Sequence, residues 1–211
     1  MKQTLSLLCL LVTLWASLAT PSFAEQAPAP ADALITALAG MQRLAGDFEQ
    51  RQYESDGSLI AESSGRFKLL RPGFFLWEIS SPDSQVVIAN PQYLWHYDRD
   101  LETVTRRPVT AEGGTAPLQI LGGDAEALRR DFRVSQHGPG VFFLEAQSAN
   151  AGFEALTLTL AEGRPAQMDI RDNLKQRIVI DFMKLDGQAA LTPQDFEFQP
   201  PPGVDLFYYD E

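Results

Sequence analysis

The side chains able to do acid–base or nucleophilic chemistry are few. His96 and His137 fall on different predicted strands. No Gly-x-Ser-x-Gly turn presents a serine to either of them, which argues against a Ser–His–Asp hydrolase. Asp98 and Asp100 lie near His96, but strand alternation sends His96 and Tyr97 to opposite faces, and one histidine rarely makes a metal site. The expectation is therefore no metal, no cofactor, and His96 on the solvent face opposite Tyr93, Trp95 and Tyr97. Asp98, Asp100 and Glu102 surround a turn, where charge is ordinary solvation, and the doublets Arg106–Arg107 and Arg129–Arg130 read as surface. Nothing here supports catalysis, and the chain is not expected to be an enzyme.

Arg71 stands apart. It lies in the middle of the stretch Gly65–Arg66–Phe67–Lys68–Leu69–Leu70–Arg71–Pro72–Gly73–Phe74–Phe75–Leu76–Trp77–Glu78–Ile79. Period-two alternation places Phe67, Leu69 and Arg71 on one face, then Phe75, Trp77 and Ile79 together after the Pro72–Gly73 interruption. Tyr93, Trp95 and Tyr97 share a face of the next strand. These side chains are too bulky and numerous for a solvated sheet face, so they are expected to wall an apolar cavity that one arginine latches. An unpaired buried charge costs several kcal/mol. Either the guanidinium bonds free carbonyls at the end of a short helix, or Arg71 lies beyond the strand end and reaches solvent.

The elements that position this stretch begin after residue 24. Lys2, the apolar run Leu5–Ala19 and Ser22–Phe23–Ala24 have the pattern of a secretory signal peptide, residues 1–24. A retained anchor is the weaker alternative, because a span needs about 20 apolar residues. The whole chain has 17 Lys+Arg against 28 Asp+Glu, a net charge of −11. Loss of Lys2 makes it one unit more negative, so nucleic acid is excluded as a partner. The single cysteine, Cys9, leaves with the leader; no thiol chemistry, disulfide or lipid attachment is expected in what remains. Residues 25–31, rich in Ala and Pro, form a flexible leader, and residues 32–211 a single domain, for which 45% hydrophobic residues suffice. Export points to the periplasm.

Asp32 is the expected N-cap of a helix carrying Leu34, Leu38, Met41 and Ala45 on one stripe. From Phe48 the period changes to two, giving strands near 47–55, 59–70, 74–80, 85–89, 93–98 and 102–108, with Asp56–Gly57 as a hairpin turn. Residues 117–131 interrupt this with two short helices bearing Leu118, Ile120, Leu121 and Leu128. They read either as a plug in one barrel end or as a movable lid. Strands resume near 132–137, 141–146, 156–160, 165–172 and 176–185, and a C-terminal segment, Phe196–Glu197–Phe198–Gln199–Pro200–Pro201–Pro202–Gly203–Val204, precedes the last seven residues. Roughly ten strands in one antiparallel meander must curl over their apolar face. The predicted fold is mainly β (α+β): a single antiparallel sheet curled into an incomplete β-barrel, with a helical lid over an apolar cavity.

The helix leading to Phe48–Glu49–Gln50, the motif Arg71–Pro72–Gly73–Phe74–Phe75–Leu76–Trp77, then Leu94–Trp95–His96–Tyr97 and the proline-rich C-terminal segment resemble, in order, the periplasmic lipoprotein carrier family LolA. That resemblance implies an unclosed β-barrel with a helical lid, a cavity for the acyl chains of bacterial lipoproteins, and no enzymatic activity. It implies lipoproteins as cargo, the inner-membrane ATP-driven LolCDE complex as donor and the outer-membrane LolB as receptor. Arg71 matches the family's lid-latching arginine, Phe75 and Trp77 aromatics of its wall, and Leu38 a lid-side leucine. LolB shares the fold but carries a lipid-attachment cysteine after its signal, and this chain has none there. The acyl site is expected at Leu38, Phe48, Phe67, Leu69, Phe75, Trp77, Ile79, Tyr93, Trp95 and Tyr97, with Leu118, Ile120 and Leu121 in the lid and the protein monomeric. A lipid-binding sensor, or a carrier of another envelope lipid on the same fold, is the alternative.

Overall fold

The computed structural model describes residues 28–109, 119–122, 125–147 and 152–209. The proposed signal peptide, residues 25–27 of the Ala/Pro leader and Leu118 lie outside the described residues, and Pro30 and Ala31 of that leader belong to the first helix. Helix α1 (Pro30–Ala39) starts two residues before Asp32, because Pro30, with its φ already helical, takes the first turn. It buries Leu34 and Leu38. Met41 follows the helix and is also buried, whereas Ala45 belongs to the first strand rather than to the helical stripe.

Twelve strands form one open sheet: β1 (Arg43–Tyr53), β2 (Leu59–Leu70), β3 (Phe74–Ser81), β4 (Gln85–Ala89), β5 (Tyr93–Asp98), β6 (Thr103–Pro108), β7 (Phe132–Gly138), β8 (Val141–Ala146), β9 (Phe153–Ala161), β10 (Arg164–Asp172), β11 (Arg177–Asp186) and β12 (Asp205–Tyr208). Their spatial order is β12-β6-β5-β4-β3-β2-β1-β11-β10-β9-β8-β7, with β12 and β7 as free edges. Hairpin connections make neighbours antiparallel, and β1 closes the sheet against β11. Short helices α2 (Gln119–Gly122) and α3 (Ala125–Asp131) interrupt the strand series where the sequence breaks its period. Among the described residues no helix is long and apolar enough to cross a membrane.

Pleating divides the side chains into two layers. Directly opposed residues share a face, so the registers Phe67↔Trp77↔Val87 and Leu69↔Phe75↔Ala89 build the concave layer. Phe48, Leu144, Leu156, Leu158, Met168, Ile170, Ile180 and Phe182 complete it from β1 and the β8–β11 half. At the crowded centre of β2, Gly65 lets β3 approach: a Cβ there would stand 1.8 Å from the Glu78 carbonyl oxygen.

The convex layer has its own cover. After β11 the chain leaves the sheet, forms a 3-10 turn (Pro193–Phe196) and lays Phe196 and Phe198 on Val86, Ile88, Phe74, Leu76, Trp95 and Tyr97. Phe74 and Phe196 ring centroids are 5.6 Å apart, and Lys68 Nζ reaches Asp195 Oδ1 at 3.1 Å. Once past the prolines the chain returns to the sheet as β12, parallel to β6 because it has crossed over a face instead of turning in a hairpin. The C-terminal residues Tyr208 and Tyr209, which carry no readable sequence signal, find their role in that pairing. Phe196 is fully buried; Phe196→Ala is expected to destabilise the protein by about 3–5 kcal/mol, measured by denaturant unfolding. A change below about 1 kcal/mol would mean that this segment does not hold the convex layer.

Glu78, on the same face, joins Arg66 (2.5 Å) and Arg99 (3.0 Å). Burial pushes its carboxyl up, but the hydrogen bonds and charges of the two arginines outweigh this and hold it below its ordinary 4.5. A depressed folded-state value stabilises above the unfolded value and stops doing so as pH falls through the folded one. The melting-temperature gap between the wild type and Glu78→Gln should therefore be full at neutral pH and close below the ordinary carboxylate range. A gap that persists at the acid end would contradict the pairing.

Candidate functional site

The concave wall is built where the sequence places its bulky alternation. Phe48 and Trp77 stack with centroids 3.5 Å apart and planes 18° apart. Phe75 continues the stack at 6.1 Å, while Phe182 meets Trp77 edge-on at 6.4 Å. Leu38, Phe48, Phe67, Leu69, Phe75 and Trp77 are all buried in one cluster, with Ile79 packed against it. The second half of the wall follows from alternation in β8–β11, visible in Leu156–Thr157–Leu158–Thr159–Leu160. Phe153, stacked on Phe132 at 5.5 Å, escapes that pattern because register shifts near the start of β9.

Three expected wall residues are elsewhere. Trp95 and Tyr97 pair with Ile88 and Val86 on the convex side, where Phe198 packs against them at 5.4 and 5.8 Å. Tyr93 keeps the same parity and stacks with the Arg106 guanidinium at 4.4 Å. The alternation within β5 is as predicted, but its phase relative to β3 is not readable from either strand alone. The consequence runs both ways: His96, expected in solvent, opposes Val87 and shares the concave face.

The helices lie directly on the apolar face. Leu34 and Leu38 of α1, Ile120 and Leu121 of α2 and Leu128 of α3 lie in the same buried cluster as the aromatic wall. Two apolar surfaces in contact gain by excluding water from each other. A groove of about 650 Å³ exists at the β1–β2 hairpin end, but Asp169, Arg171, Lys175 and Arg177 line it, which is too much charge for an alkyl chain.

Polar contacts tie the helices down. Arg71, at the β2–β3 turn, anchors its backbone N–H on the Gln42 carbonyl at 2.9 Å and donates through its guanidinium to the carbonyl of Leu121 in α2. Of the two placements open from sequence, the bonded one is found. Burial pushes the guanidinium down from its ordinary value, and Nε is buried without a hydrogen bond among the described residues. Among the described residues this is a charge held partly dry by a single carbonyl, a contact that water replaces readily once the helix moves. Farther along, Arg129 of α3 meets Asp32 of α1 at 2.7 Å on the surface. Such an exposed pair contributes about 0–1 kcal/mol, so Arg71 is the stronger tie.

Comparison with known proteins identifies the family. The family described as outer membrane lipoprotein carrier protein LolA matches residues 39–199. The outer-membrane lipoprotein carrier protein of Alkalilimnicola ehrlichii is 33% identical over 206 residues, covering 98% of this chain and 96% of the relative. That of Methylococcus capsulatus is 33% identical over 190 residues, covering 88% and 91%. Among solved structures, an uncharacterised conserved protein from Thermus thermophilus has a TM-score of 0.52 at 13% identity, covering 84% of this chain and 98% of its own, a likeness of fold alone.

Proposed function

The chain belongs to the LolA family of outer membrane lipoprotein carrier proteins, and we propose that it is a lipoprotein chaperone whose concave face takes up acyl chains as the helices lift. The observation that carries this reading is the aromatic wall closed by helices through one half-buried arginine contact, Arg71 to Leu121. Wall and cover are both apolar, so each can exchange its partner for an alkyl chain without exposing polar groups.

The energetics favour a closable site. At about 0.8 kcal/mol per buried CH₂, one chain of about 16 carbons is worth roughly 13 kcal/mol, and lipoproteins bear up to three. A permanently open cavity would hold such a guest too tightly to release it. In a site that closes on itself, loading must first separate Ile120 and Leu121 from the wall and break the Arg71 bond, and that cost is subtracted from the affinity. Transfer then runs downhill to an acceptor that pays no such cost. In this scheme the acyl site comprises Leu38, Phe48, Phe67, Leu69, Phe75, Trp77 and Ile79, and Ile120 and Leu121 are the moving cover. The family resemblance supports the periplasm as its place, the inner-membrane LolCDE complex as donor and outer-membrane LolB as acceptor.

Native mass spectrometry of the protein with a triacylated lipoprotein, and with the same protein lacking its acyl groups, tests this. A one-to-one complex with the acylated form only is the expected result. No complex, or equal binding of both, would overturn the proposal.

A further inference from the structure

The concave face does not stay apolar to its end. Gln85 opposes Ile79 in register, His96 opposes Val87, and Asp98 opposes Gln85, so all three share the face of Trp77: His96 level with it two strands away, Gln85 and Asp98 level with Ile79, on the side remote from Arg71. They form a chain. Asp98 Oδ1 accepts the backbone N–H groups of Asp100 and Leu101 at 3.1 and 3.0 Å, and its Oδ2 accepts from Gln85 Nε2 at 3.0 Å. Gln85 Oε1 then lies 3.2 Å from His96 Nε2.

This chain fixes the histidine tautomer. A carboxylate only accepts, so the Gln85 amide turns its NH₂ to Asp98 and its oxygen to His96. That oxygen also only accepts, and His96 Nε2 must therefore carry the proton. In the neutral ring Nδ1 is left as a bare acceptor, and it makes no hydrogen bond among the described residues. In this tautomer a hydrogen-bond acceptor thus stands two strands from Trp77, at the border of the acyl wall.

We propose that His96 is the head-group contact of the acyl site, its Nδ1 accepting the N–H of the amide-linked acyl group on the terminal cysteine of a triacylated lipoprotein. This rests on the lipoprotein-carrier reading and names the part of the cargo it recognises. Alkyl chains have no polar hydrogen, and the two ester linkages of the diacylglyceryl group have only acceptors; of the three acyl linkages, the amide alone supplies a donor. A hydrogen bond at that point places the branch of the three chains beside the polar Gln85–Asp98 pair and lets them run across Trp77 and Phe75 toward Arg71. Gln85 and Asp98 are positioning residues, acting through the imidazole.

The test uses two synthetic probes: a tripalmitoylated cysteinyl peptide, and its twin in which the N-palmitoyl amide is replaced by an ester, leaving chains and length unchanged. The wild type should bind the amide probe about five- to tenfold more tightly, the size of one hydrogen bond. His96→Leu should bind both probes alike, at the ester-probe level. Equal affinity of the wild-type protein for the two probes would overturn the proposal, whatever the variant does. A preference that survives in His96→Leu would overturn the assignment to this residue. Failure of the wild type to bind either probe would overturn the carrier reading itself, and this contact with it.

Discussion

Arg71→Leu should hold a triacylated lipoprotein more tightly than the wild type and pass it to an acceptor at least tenfold more slowly. The guanidinium donates to the Leu121 carbonyl, and a hydrogen bond to a charged group contributes about 1.5–3 kcal/mol. All of that favours the closed form, since α2 carries the acceptor. Removing it shifts the closed-to-open ratio by roughly ten- to a hundredfold, because 1.4 kcal/mol is a factor of ten. The open form binds cargo, so affinity rises by the same factor and dissociation slows. Leucine also adds apolar surface at the rim. Release kinetics in a purified transfer assay decide the matter; rates equal to the wild type's would mean that Arg71 does not set the balance.

Trp77→Glu should abolish loading. The indole contacts Phe48, Phe67, Phe75 and Phe182 and is 4% exposed. Losing the ring costs about 3–5 kcal/mol, and the carboxyl left among aromatics adds a desolvation penalty of a few kcal/mol more. The empty protein should melt well below the wild type, so binding must be assayed under conditions where circular dichroism shows the variant folded. There, a carboxylate in the acyl path should prevent the complex from forming. Trp95→Ala, on the other face, should load normally. If Trp95→Ala fails and Trp77→Glu succeeds, the acyl site is on the convex side.

That contrast marks how far the sequence could be read. Strand positions are legible because alternation is local: residues 59–70, 85–89, 93–98 and 141–146 begin and end where turn chemistry says. The wall from Phe67 to Trp77 is legible for the same reason, and the Arg71 contact is legible as one of two placements. What is not local is not legible. The phase of β5 depends on its pairing with β4, which puts Trp95 opposite Ile88 and His96 opposite Val87, and an aromatic run offers apolar side chains to either face. The convex cover was hidden because Phe196 and Phe198 sit among prolines, in a segment with no periodicity of its own. That same cover gives Trp95 and Tyr97 a reason to be apolar that has nothing to do with cargo. A helical cover is legible in residues 117–131 as a plug or a lid, but its contacts are not: sequence shows that a surface is apolar, not which helix lies on it.

The opposite facing of the two wall-strand tryptophans has an optical consequence. The chain has three tryptophans, and removal of the proposed leader, residues 1–24, would discard Trp15. Trp77 then lies against the surface that α2 leaves, while Trp95 is boxed by Phe198 and Arg106 on the far side. Intrinsic fluorescence therefore carries its own reference: a shift in emission on adding cargo belongs to Trp77, and the steady component to Trp95. Opening can be followed in the unlabelled protein in real time, with Trp95→Phe isolating the signal.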